Sequence, residues 1–101
     1  MHLIQILLPL YDNQGNRFGP EPYREIRDEL SGRFGGLTAF SRAPAEGEWR
    51  EGGKSHRDDI VVYEVMTESL DEAWWREYRA KLEQLFRQDE IIVRAQTMRL
   101  L

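Results

Sequence analysis

DIVVYEVMTESLDEAWWREYRAKLEQLF, residues 59–86, changes its hydrophobic period part-way, and that change decides the fold. Its opening run holds Ile60, Val61, Val62, Tyr63 and Val65, the β-branched and aromatic enrichment of a strand over Asp59 to Met66. After Thr67 the spacing becomes helical. Trp74, Trp75, Tyr78, Leu82, Leu85 and Phe86 fall within about 120° of a helical wheel, while Arg76, Glu77, Arg79, Glu83 and Arg87 lie elsewhere. Ser69 and Glu72 stand at capping-box spacing, which predicts a helix start capped by the Ser69 hydroxyl. Adjacent tryptophans project about 100° apart, so Trp74 and Trp75 cannot both point at the centre of a sheet, and one is expected to line an edge pocket or a subunit contact.

Upstream, the same order occurs once more. Leu3 to Leu10 places Ile4, Ile6, Leu8 and Leu10 on one face and Leu3, Gln5 and Leu7 on the other, so this strand is expected at the centre of a sheet covered on both sides. A polar loop follows from Asp12 to Gly19, ending at Pro20 and Pro22, which preset φ for a helix start. Ile26, Leu30 and Phe34 share one arc of that helix, and Gly35-Gly36 stops it. Leu37 to Ala43 reads as the second strand. Pro44 to Ser55 is rich in Gly, Glu and Arg, with Glu51-Gly52-Gly53-Lys54 the expected reversal of a long hairpin. Ile91 to Leu100 supplies the last strand.

The order β-α-β-β-α-β predicts an α+β, ferredoxin-like domain spanning residues 1–101. Right-handed crossovers give a four-stranded antiparallel sheet of spatial order 4-1-3-2 with both helices on one face. The other face then carries Ile60, Val62, Glu64 and Met66, joined by Leu3, Gln5 and Leu7. An apolar face of that kind on a small domain implies a partner, and a homodimer through this face and the 44–57 hairpin is the expectation.

Composition excludes several chemistries. With 14 basic and 18 acidic residues, a net charge of −4 opposes a duplex nucleic acid partner, which needs a concentrated basic surface. The first strand offers Leu, Ile and Gln where an RNA-recognition module stacks bases on aromatics. The absence of cysteine removes disulfides, thiolate nucleophiles and cysteine-ligated metals. Leu3 to Leu10 is too short to cross a bilayer and is followed by Tyr11-Asp12-Asn13 instead of a small-residue cleavage site, so no membrane association and a cytoplasmic location are expected.

Candidate functional residues are scattered. His56-Arg57-Asp58 spells the kinase catalytic tripeptide, but Tyr63 stands where the kinase asparagine belongs. His56, Asp58 and Glu48 form a poor ligand set, so neither a metal nor another cofactor is expected. Exposed Trp and Arg favour recognition, which singles out the hairpin residues Trp49 and Arg50, together with Arg17 in the first loop, as ligand-binding candidates. For an enzyme, the candidates are Arg42 to hold an anion, His56 as general base and Tyr63 as hydrogen-bond donor.

Gln14-Gly15-Asn16-Arg17-Phe18 resembles the phosphate-cradling loop of acylphosphatases, which share this topology. In that family the arginine follows the phenylalanine, where this chain has Gly19, and the asparagine that positions water has no counterpart after the second strand. Over most of its length the chain, through Phe34-Gly35-Gly36-Leu37-Thr38, Gly47-Glu48-Trp49-Arg50 and Phe86-Arg87-Gln88, resembles a bacterial family of small uncharacterised ferredoxin-like proteins. At fold level it is similar to dimeric α/β-barrel proteins, which include small monooxygenases, isomerases and haem-handling enzymes. Three functions therefore stand side by side: a homodimeric binding or accessory module, a cofactor-independent enzyme of monooxygenase or isomerase type acting on a small organic molecule, and an acylphosphatase-like anion site.

Overall fold

The computed structural model describes residues 1–42, 50–51, 54–55 and 60–101, with side chains described for 1–40 and 60–101. In chain order the elements are β1 (His2–Pro9), α1 (Glu21–Phe34), β2 (Thr38–Arg42), β3 (Arg50–Glu51), β4 (Lys54–Ser55), β5 (Ile60–Thr67), α2 (Glu72–Leu85) and β6 (Ile92–Thr97). The main sheet has four antiparallel strands in the order β2-β5-β1-β6, the ferredoxin-like arrangement that the periodicities imply. β1 and β5 are central because they carry the longest apolar runs. β3 and β4 pair as a separate ribbon, Arg50 with Ser55 and Glu51 with Lys54, a register that agrees with a reversal between 51 and 54. The remainder of the expected 44–57 hairpin lies outside the described residues.

Register assigns every side chain of the central pair to a face. Ile4 opposes Val65, Ile6 opposes Tyr63 and Leu8 opposes Val61, and all six face the helices. Ile26 and Leu30 of α1 and Trp75, Tyr78, Leu82 and Phe86 from α2 and its end close over them, each at most 5 % exposed. Burying a large apolar side chain completely contributes roughly 1.5–3 kcal/mol, so this layer supplies most of the driving force. Leu3, Gln5 and Leu7 pair with Met66, Glu64 and Val62 on the other face.

The helix ends follow local chemistry. α1 opens at Pro20 with Pro22 in its first turn and closes at Gly35, whose φ of 77° and N–H bond to the Ser31 carbonyl form a left-handed cap suited to glycine. α2 begins later than the capping-box spacing predicts. The Asp71 carboxylate accepts from the Trp74 N–H at 3.1 Å, while Ser69 lies in the preceding turn, where its carbonyl accepts from the Thr67 hydroxyl. The helix thus starts two residues later, with Asp71 as its N-cap and Leu70, just before it, packed against the core. The expected inward face of α2 also needs one correction: Leu85 is 38 % exposed, at the margin of the buried stripe. β2 starts at Thr38, one residue later than expected, with Ala43 outside the described residues, and β6 runs from Ile92 to Thr97, inside the expected 91–100.

Candidate functional site

A cleft of about 280 Å³ opens where the loop after β1, the start of α1 and the first half of β5 meet. Its walls are Leu10, Phe18, Pro20, Tyr23, Val61 and Tyr63, and Arg17, Gly19 and Arg27 also line it. The loop holds its shape by itself. Asp12 Oδ1 accepts from the backbone N–H groups of Gln14 at 2.9 Å and Asn16 at 2.8 Å, and the Asp12 carbonyl accepts from Gly15, whose φ of 84° suits glycine. The amide of Asn16, more than that of Gln14, holds the Asp12 carboxyl below its usual range. Two amides of this loop are thus engaged by the chain's own carboxylate.

Phe18 is anchored by its N–H to the Leu10 carbonyl and by an edge contact with Phe86 at 5.1 Å. Tyr23 packs on the same Phe86 ring at 5.5 Å and donates its hydroxyl to the Pro9 carbonyl, which ties α1 to the end of β1. The Tyr63 hydroxyl reaches the Tyr23 carbonyl at 3.4 Å, the long limit of a hydrogen bond. Burial pushes the Tyr23 phenol up to about 12, with Tyr63 adding to the shift and Arg17 opposing it. Burial likewise raises Tyr63, against the field of Arg27. Both phenols are therefore protonated at neutral pH and act as donors, not bases.

The chain unites some sequence-predicted residues and leaves others apart. Arg17 and Tyr63 both line the cleft. Arg42 ends β2 paired with Ile60, the residue before the cleft-lining Val61. Trp49 and His56 lie outside the described residues, and of Arg50 only its pairing with Ser55 is described. Sequence reasoning missed Arg27 and Tyr23. They stand four apart on α1, a spacing that places them on one side of a helix, and that signal was available.

The open sheet face holds a second feature. Glu64, Gln5 and Arg94 sit side by side on β5, β1 and β6. Gln5 Nε2 donates to Glu64 Oε2 at 2.6 Å, and Arg94 Nε donates to Gln5 Oε1 at 2.8 Å. The amide thus relays between carboxylate and guanidinium. Around the relay Phe40, Met66 and Ile92 are 41 %, 50 % and 48 % exposed. On the helix side, Trp75 lines a groove between α2 and β6, as expected for one of the two tryptophans, while Trp74 stacks on Tyr78 and carries the Arg33 guanidinium 4.2 Å above its ring. Among the described residues no three His, Asp or Glu side chains gather as a metal site, and no helix is long and apolar enough to cross a membrane.

No family model matches the chain, and no curated protein matches it in sequence. Among solved structures it is similar to a phage SAM lyase determined in complex with S-methyl-5′-thioadenosine. The two share a TM-score of 0.61 at 17 % identity, over 94 % of this chain and 79 % of the lyase chain. At that identity the likeness establishes a common small α+β fold.

Proposed function

We propose that the protein is a homodimeric module that pairs through its open sheet faces and binds a small organic molecule in the cleft beside Tyr63. The open face carries the reading. The polar row Thr38, Glu64, Gln5, Arg94 is bordered by Phe40, Val62, Leu7 and Ile92 on one side and by Met66, Leu3 and Gln96 on the other, with Val62 itself only 2 % exposed. A two-fold axis in the interface plane, running along β1, sets each row against itself and each Arg94 against the partner copy's Glu64 position. Such a packing satisfies a carboxylate that is otherwise costly to cover. Light scattering coupled to size exclusion tests it: the wild type is expected at twice 12 kDa, and Met66→Glu is expected to give monomers. A wild-type monomer at all concentrations removes the proposal.

The fold shared with a lyase favours a second reading, a cofactor-independent enzyme on a small organic substrate. There Tyr63 is the hydrogen-bond donor, and Arg42 and His56 remain the anion holder and base to test. Incubation with S-adenosylmethionine, followed by mass spectrometry of its loss, examines the chemistry named by the neighbour. Turnover that survives His56→Ala unchanged would take His56 out of the reaction.

A further inference from the structure

We propose that the cleft formed by the 10–20 loop, α1 and β5 takes a small planar carboxylate, its charge held between Arg17 and Arg27 and its hydrocarbon part against Phe18, Tyr23 and Tyr63. This names the ligand class of the binding reading above and rests on it.

Among the described residues the lining includes two arginines and no acidic side chain. Among the described residues the ion pairs are Arg79–Glu83 and Lys81–Glu29, so neither Arg17 nor Arg27 has an acidic partner within that set. The two cations come from different elements, the loop and the helix, and their fields act on the phenols of Tyr23 and Tyr63 respectively. Like charges brought to one cleft repel, and an anion supplies the missing countercharge. Guanidinium forks match a planar carboxylate. Phosphate fits less well, since the amides of Gln14 and Asn16 already donate to Asp12. The walls decide the remainder of the ligand: aromatic and aliphatic side chains favour hydrocarbon, and at about 280 Å³ the space lies at the small end of ligand pockets. The Tyr63 hydroxyl, held at only 3.4 Å from its acceptor, is free to turn to a carboxylate oxygen with little loss. Asp12 is occupied by its own loop, and a second acidic group stands near. Glu21 lays its carboxylate over Gly19 at the cleft margin, and Glu21→Gln is expected to tighten anion binding.

The test is a calorimetric and NMR titration of the full chain at low salt with benzoate, with benzamide as its neutral isostere and with inorganic phosphate. Benzoate is expected to bind best, to shift resonances of Phe18, Tyr63 and Arg27, and to weaken as salt rises. Arg27→Gln and Arg17→Gln should each weaken benzoate about tenfold, the loss of one charge-assisted bond, and leave benzamide unchanged. Both side chains are exposed, and thermal melts verify that the variants fold. Benzamide or phosphate binding as tightly as benzoate, or insensitivity to both arginine variants, overturns the anion assignment while the small-molecule reading stands. If none of the three probes binds, both fall.

Discussion

On the helix side of the sheet Ile4, Ile6 and Leu8 are at most 1 % exposed, whereas their strand neighbours Leu3, Gln5 and Leu7 on the open side are half-buried. The same strands build both faces, so backbone and strand propensity cannot account for the difference. What differs is the cover. Two amphipathic helices exclude water from one face, and among the described residues the core there contains no buried polar or charged one. The open face keeps a carboxylate, an amide and a guanidinium in one row, joined at 2.6 and 2.8 Å. A face that had to be permanently dry inside the monomer would gain from apolar residues at those positions; a face that pairs in one register gains from a polar row that must meet its own kind.

The most damaging change on the covered face should be Leu82→Ala, since Leu82 is 1 % exposed and its removal leaves a cavity costing about 2–5 kcal/mol. Urea melts measure it, and a loss no larger than that of Leu7→Ala on the open face would erase the contrast between the faces. On the open face Gln5→Leu breaks both relay bonds at once and leaves the half-buried Glu64 without its partner, with an expected cost of about 1–3 kcal/mol. A double-mutant cycle on Glu64 and Arg94 sharpens the point. Their coupling should exceed about 0.5 kcal/mol with Gln5 present and vanish in the Gln5→Leu background, because the amide transmits it.

Alkaline titration probes the seam where the covered face meets the cleft. Tyr23 is raised from 10.0 to about 12 in the folded protein, so its contribution to stability is complete below pH 10 and is lost as the pH climbs through 12. Tyr23→Phe should flatten that part of the stability profile. Tyr78→Phe tests the covered face from within. Its hydroxyl is buried with no hydrogen-bond partner among the described residues, so removal should leave stability unchanged or raise it by up to about 1 kcal/mol. Smallest of all, Arg79→Ala should cost at most about 0.5 kcal/mol, since its side chain is 48 % exposed and its contact with Glu83 is 3.9 Å long.

Much of the architecture is legible in the residues because periodicity reports burial directly. The alternation of Ile4, Ile6 and Leu8 and the helical spacing of Trp75, Tyr78 and Leu82 each identify a covered face without coordinates. Helix starts are harder to read: Ser69 and Asp71 are both residue types that cap, they stand two apart, and Asp71 is the one that does so. The site is harder still. Arg17 and Tyr63 could be marked by residue type, but their joint occupation of one cleft with Arg27 and Tyr23 depends on three segments far apart in the chain.

By itself, then, the order of hydrophobic periods determined the element order, the central strands and the face on which each strand residue lies, because a residue's side of a strand or helix follows from its number. Only the tertiary structure decided what stands beside what. That Gln5 lies between Glu64 and Arg94, and that Asp12 occupies the amides of its own loop, rests on distances of a few ångströms between side chains, which spacing along a chain does not encode.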